Sequence, residues 1–176
     1  EPGGAMPQPP GDLPVGIVTS IAGSCRYQVE LKGVASHAGT TPMHMRKDAA
    51  AAAAEIILYV EQRCAQAASL VGTVGQLQVP HGSVNVIPGA CKLSLDIRAA
   101  DDGTRDAAVA DILQNIETIC QRRNIEASVI KAVSAPAAPC AAWLMQQLAA
   151  ATARAGVPVF ELPSGAGHDA MAIAKM

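Results

Sequence analysis

The chain has 176 residues, half of them hydrophobic, and a formal charge of −2, with only one Trp, one Phe and two Tyr. Without a basic stripe or an aromatic platform for bases, nucleic acid is not an expected partner. No apolar run approaches the roughly 18 residues of a membrane span and no charged-then-apolar signal opens the chain, so a cytoplasmic protein away from membranes is expected, with one ordinary domain or one small domain plus a piece of another.

Residues 1–14, EPGGAMPQPPGDLP, carry Pro and Gly without periodicity and read as a linker or a non-native remnant. Structure is expected from Val15. The stretch CRYQVELKG then alternates, Tyr27, Val29 and Leu31 on one face and Arg26, Gln28, Glu30 and Lys32 on the other, which is a half-buried strand. From Lys47 to Gln66 the period changes to that of a helix, with Ala53, Ile56, Ile57, Val60 and Cys64 on one face. Residues 69–79, SLVGTVGQLQV, return to β character. Along ACKLSLDIRA (90–99), Cys91, Leu93, Leu95 and Ile97 face inward and Lys92, Ser94, Asp96 and Arg98 outward.

A second amphipathic helix is expected from Gly103 to Arg123, through Val109, Ile112, Leu113, Ile116 and Cys120, with Asp101 or Asp102 as its cap. IEASVIKAV (125–133) makes a fourth strand and SAPAAP (134–139) a Pro-broken hinge. The resulting order, β-α-β-β-α-β, predicts an α+β split fold: a four-stranded antiparallel sheet with both helices on one face, complete by residue 134. A helix from Ala141 to Ala155, a strand around VPVFEL and the loop PSGAGHDA follow, too short a tail to bury a core of its own.

Five cysteines, Cys25, Cys64, Cys91, Cys120 and Cys140, are scattered without a C-x-x-C pair, so neither a disulfide framework nor a zinc knuckle is expected. Cys64, Cys91 and Cys120 fall on apolar faces and read as small buried hydrophobes. Of four histidines, His44 and His81 read as surface residues. His37 lies in SHAGTTPM among small residues that let a ligand approach the backbone; it is either a donor to a carbonyl or developing oxyanion or an ordinary loop residue. His168 follows SGAG, read either as backbone amides facing an anion, with Asp169 orienting the imidazole, or as a glycine turn capping a helix. Asn85 stands in the turn of VNVIPG, where Asn is common for local backbone reasons, and Arg98 on a polar strand face, where its planar fork suits a carboxylate but a solvated surface charge is the ordinary reading. No spacing of His, Asp and Glu suggests a metal site, and there is no nucleophile elbow or phosphate loop.

Five motifs in one order, GIVTSIAG, SHAGTTPM, NVIPG, DIRAAD and SGAGHDA, together resemble the N-carbamoyl-L-amino-acid hydrolase and allantoate amidohydrolase family, within the dinuclear-metal aminoacylase-like peptidases. The resemblance implies that residues 15–134 are a lid or dimerisation domain and that residues 135–176 are a partial segment of the metal-holding catalytic domain. It implies hydrolysis of a ureido C–N bond, with His37 polarising the scissile carbonyl from a partner subunit. Asn85 and Arg98 would also reach across to the substrate, Arg98 pairing with its carboxylate, and Gly167 and His168 would bind substrate from the catalytic side. Two divalent ions, zinc or manganese, are implied for the whole enzyme, but their ligands would lie before the lid and beyond Met176. A segment that binds no dinuclear centre and is inactive alone is therefore expected. Two other expectations stand beside it: another aminoacylase or dipeptidase of the superfamily, and a stand-alone dimerising or ligand-binding module.

Overall fold

The computed structural model describes Gly11 and residues 13–173; the linker reading for residues 1–14 lies largely outside them. In chain order the elements are β1 (Ile17–Ile21), β2 (Gly23–Lys32), β3 (Ser36–His37), α1 (Ala49–Cys64), β4 (Leu70–Thr73), β5 (Leu77–Gln78), β6 (Val86–Ile87), β7 (Ala90–Ala99), α2 (Asp102–Arg123), β8 (Glu126–Ala135), β9 (Ala138–Pro139), α3 (Ala142–Arg154), β10 (Glu161–Ser164) and α4 (Ala170–Ile173).

The main sheet runs β4-β7-β2-β8, all antiparallel, with β5 continuing beside β7. Its register follows from alternation: Cys25 faces Ile97, Tyr27 faces Leu95, Val29 faces Leu93 and Leu31 faces Cys91 across β2 and β7. These side chains meet Ala52, Ala53, Ile56 and Val60 of α1 and Ala108, Ile112 and Ile116 of α2 in one core. A one-residue slip would turn that whole set to solvent, which is why the register is firm. On the opposite face, Glu30 faces Lys92 and Arg26 faces Asp96, oppositely charged pairs at 2.6 and 3.0 Å.

Asp48 caps α1 by accepting from the amides of Ala50 and Ala51, and Asp101, not Asp102, caps α2 by accepting from Thr104. α2 ends on Asn124 in the left-handed region, φ 52°, a conformation that Asn tolerates. Ile57 and Leu113, expected on the buried faces, are only half-buried, while Ala49, Ala52 and Ile119 take those places.

Three expectations are corrected. The strand expected over 69–79 is broken into β4 and β5: between them the Gln76 carbonyl still accepts from the Ser94 amide of β7 at 3.1 Å, but the Gln76 amide donates to the Ser94 hydroxyl at 3.0 Å rather than to a backbone carbonyl. The strand expected at VPVFEL begins only at Glu161. The stretch SAPAAP does not break cleanly: β8 runs to Ala135, and Ala138–Pro139 forms β9. The first strand, read within residues 15–134, pairs with the tail: β10-β1-β9 is a separate sheet, parallel between β1 and β10.

At the junction of the two sheets lies Arg105, only 5% exposed. Its guanidinium bonds Asp102 at 2.6 Å, Asp106 at 2.8 Å and the Ala135 carbonyl at 3.0 Å. Asp102 also accepts from the Ala137 amide at 2.7 Å, so this charge satisfies the chain where it passes from one sheet to the other.

Candidate functional site

His37 does not lie in a free loop. It is the second residue of β3, paired with Val86 of β6, and the Ala38 amide donates to the Asn85 carbonyl at 2.9 Å. His37 and Asn85 therefore sit on one two-stranded ribbon, both exposed. The following turn closes on the histidine: Thr40 and Thr41 donate to its carbonyl, and the Gly39 amide donates to its Nδ1 at 3.1 Å. Arg46 holds the same turn from behind, donating to the Thr41 carbonyl at 3.1 Å and the Ala38 carbonyl at 2.6 Å. At the base of the ribbon Gly33 donates to Gly89 at 2.9 Å; a Cβ on Gly33 would lie 1.9 Å from the Lys47 carbonyl oxygen, so only glycine passes there. Asn85 receives the Ser83 hydroxyl on its Oδ1 at 3.1 Å, which leaves its NH2 to serve as a donor.

Arg98 is elsewhere. It projects from the helix-free face of β7 into a cavity of 690 Å³ lined by Arg26, Gln76, Ser94, Asp96 and Gly165. Asp96, two residues earlier on the same face, takes its Nε and Nη2 at 3.0 and 2.8 Å, and Nη1 reaches the Gly165 carbonyl at 3.1 Å. The hydrogen bonds from Arg98 hold the Asp96 carboxyl below the usual carboxylate range, with Arg26 on the same carboxylate adding to the effect, and Asp96 in turn raises the Arg98 pKa. The fork's outer edge, Nη1 with Nη2, keeps hydrogens for a second carboxylate. Two guanidiniums against one carboxylate leave the cavity cationic.

Gly165 belongs to the loop between β10 and α4 that carries Gly167 and His168, both exposed. The His168 Nδ1 accepts from the Ala170 amide at 3.0 Å; it is this amide, not Asp169, that orients the ring. α4 is a single turn with little dipole to offer an anion.

The candidates thus form two groups. His37 and Asn85 lie at one end of the main sheet, before Ala90. Arg98 lies near the other end, roughly 27 Å along β7 from Ala90 at about 3.4 Å per residue. The resemblance set Arg98 with His37 and Asn85 as residues reaching across; the fold sets it against its own chain's tail, because β7 carries it back toward the junction. Arg46 and Asp96 were missed in the sequence. Asp96 was findable, since residues two apart on a strand share a face; Arg46 had only its place between loop and helix cap as a sign.

No group of three or more His, Cys, Asp or Glu among the described residues is placed to hold a metal ion. No described helix is long and apolar enough to cross a membrane.

The Peptidase dimerisation domain family matches residues 19–124. An N-carbamoyl-L-amino acid amidohydrolase of Geobacillus stearothermophilus is 40% identical over 164 residues, which are 93% of this chain and 40% of that protein. Allantoate deiminase 1 of Glycine max is 37% identical over 191 residues, again 93% of this chain and 40% of the relative. Among solved structures, a hydantoinase/carbamoylase family amidase from Burkholderia ambifaria superposes with a TM-score of 0.86 at 33% identity, over 91% of this chain and 40% of that one. The aminopeptidase PepT of Bacillus cereus, at 20% identity and a TM-score of 0.78, shares the fold alone. The chain spans about 40% of the length of these amidohydrolase relatives. With a helix-backed βαββαβ sheet and more than half its residues matched, the chain belongs to the peptidase dimerisation domain family.

Proposed function

We propose that the chain is the lid of an amidohydrolase that cleaves the ureido C–N bond of N-carbamoyl-L-amino acids or allantoate. In this reading the lid runs from Gly23 to Ala135, and β1 goes with residues 136–176 as part of the catalytic domain. The observation that carries it is the division of the candidate residues between two ends of one sheet. A small ureido acid cannot touch both ends, so a complete site needs the His37–Asn85 ribbon of one copy and the Arg98, Gly167 and His168 group of another.

The second copy has a place to join. β8 is an edge strand of ten residues, nearly all exposed, with Ile130 59% exposed. Its unpaired amides and carbonyls suit antiparallel pairing with the same strand of a second chain about a two-fold axis.

In the reaction, water adds to the ureido carbon and the carbonyl oxygen gains charge. His37, with Asn85, donates to that oxygen, and Arg98 holds the substrate carboxylate on its outer edge. Collapse returns the carbonyl and breaks the C–N bond, the departing nitrogen taking a proton. The described residues do not fit the two divalent ions that the resemblance implies, so water activation is assigned to ligands outside this segment, and what these residues supply is binding and charge stabilisation. Five free cysteines suit a reducing compartment, the cytoplasm in this reading.

The test uses the full-length protein that carries this segment. His37→Ala and Arg98→Ala each lower N-carbamoyl-amino-acid turnover, the first by about 10²–10³ in kcat as for other oxyanion donors. Mixed and allowed to reassociate at random, the two inactive variants recover about a quarter of wild-type turnover, because one site in each mixed dimer is intact. If mixing restores nothing, the shared-site reading fails.

A further inference from the structure

His37 lies on the β3–β6 ribbon and His168 in the loop between β10 and α4, and the two were singled out for different reasons, yet their rings are held alike. The Gly39 amide donates to the His37 Nδ1 at 3.1 Å, and the Ala170 amide donates to the His168 Nδ1 at 3.0 Å. A backbone N–H can only donate, so the nitrogen that receives it carries a lone pair, and a neutral imidazole then has its proton on Nε2. We infer that both rings are locked as the Nε2–H tautomer by the amide two residues on, and that Gly39 is the positioning residue for His37.

Three observations fix Gly39 in that role. The turn that brings its amide over the ring is closed by Thr40 and Thr41 on the His37 carbonyl, at 3.3 and 3.1 Å. Arg46 bonds the carbonyls of Ala38 and Thr41 on either side of it. And a Cβ at Gly39 would lie 3.2 Å from the His37 Cε1, a tight contact that the ring must relieve by shifting a few tenths of an ångström against the amide that holds it.

The chemical consequence narrows what each histidine does. An Nε2–H presented to substrate donates to an oxygen; it does not take a proton from water. Were either ring to become imidazolium, its Nδ1–H would face the amide donor head-on. Both side chains are therefore electrophilic contacts, one on each half of the shared site, and neither is its general base. Recognition is thus of a ligand with acceptor oxygens at two places, as a ureido acid has. This role rests on the function proposed above, but the tautomers do not.

The experiment is long-range 1H–15N correlation of the histidine rings in this 176-residue chain at about pH 8.5, some two units above the ordinary imidazole value of about 6.5. His37→Gln and His168→Gln assign the signals. His44 and His81, exposed and without a ring hydrogen bond among the described residues, are internal references for averaged tautomers. The expected result is the Nε2–H pattern for His37 and His168 only. Gly39→Ala is expected to move His37 toward the averaged pattern while His168 stays as it was. Averaged or Nδ1–H patterns at His37 and His168 overturn the inference, and an unmoved His37 in Gly39→Ala overturns the role of Gly39. If the tautomers are as stated but full-length Gly39→Ala keeps wild-type kcat, the amidohydrolase role of His37 fails and the lock stands.

Discussion

Asp96 shows what one carboxylate can do for a site without touching a ligand. It occupies the inner edge of the Arg98 fork and shares an oxygen with Arg26, so that Arg98 is aimed before anything binds. Its folded-state pKa lies below the ordinary value of about 3.9, so the stability it contributes is present above that value and is lost as pH falls through the folded one. Asp96→Asn should therefore destabilise the chain by about 1 kcal/mol near neutrality, the partners being partly exposed. It should also flatten the loss of stability below about pH 4. Urea midpoints between pH 6 and pH 3 test this; equal acid slopes for variant and wild type would remove Asp96 from the account. As candidates, His37, Asn85, Arg98, Gly167 and His168 could all be named from motifs. Their grouping could not, since it depends on how far β7 carries Arg98 from the ribbon.

Among elements, periodicity served best where packing is two-sided. α1, α2, β2 and β7 alternate or repeat because each has one face in the core, and their bounds fell within two residues of expectation. It served worst for β1 and β10, short strands whose partners lie far along the chain, and for the β4–β5 break, where a serine hydroxyl replaced a ladder bond. The ribbon bearing His37 was read as a loop because two-residue strands have no period to detect. Its base is the most restrictive point of the fold. Gly33→Ala would drive a Cβ into a backbone carbonyl that cannot rotate away, with an expected cost of 1–3 kcal/mol or more, roughly the range for overpacked sites. Gly75→Ala, whose Cβ would meet only the Ser94 hydroxyl at 3.9 Å, is the matched control and should change little. Urea denaturation of the pair decides it: equal stabilities would mean that the ribbon's base is not closed by Gly33.

At the scale of the molecule, the two sheets differ in how well they are covered. The main sheet has two helices over its inner face and a core of fully buried side chains such as Leu31, Leu93, Leu95 and Ile112. The sheet of β1, β9 and β10 has α3 beside it, and α3 buries none of its residues, with Trp143 67% exposed. Amide hydrogen exchange should accordingly be slowest in β2 and β7 and faster in β1 and β10 by about two orders of magnitude or more, the usual spread between a core and a locally opening unit. Uniform protection across both sheets would contradict this.

The pairing of β1 with β10 joins Ile17 to Glu161, positions 144 apart in sequence. An unfolded chain closing that span meets a large loss of freedom. Once Gly23 to Ala135 has folded, the two ends of that segment lie side by side at the Arg105 junction, and only about 30 residues remain to be closed, which lowers the entropic cost by about 1.4 kcal/mol. The outer sheet thus inherits its nearness from the inner one: the main sheet and its helices fold as the clasp that brings a divided strand pair together.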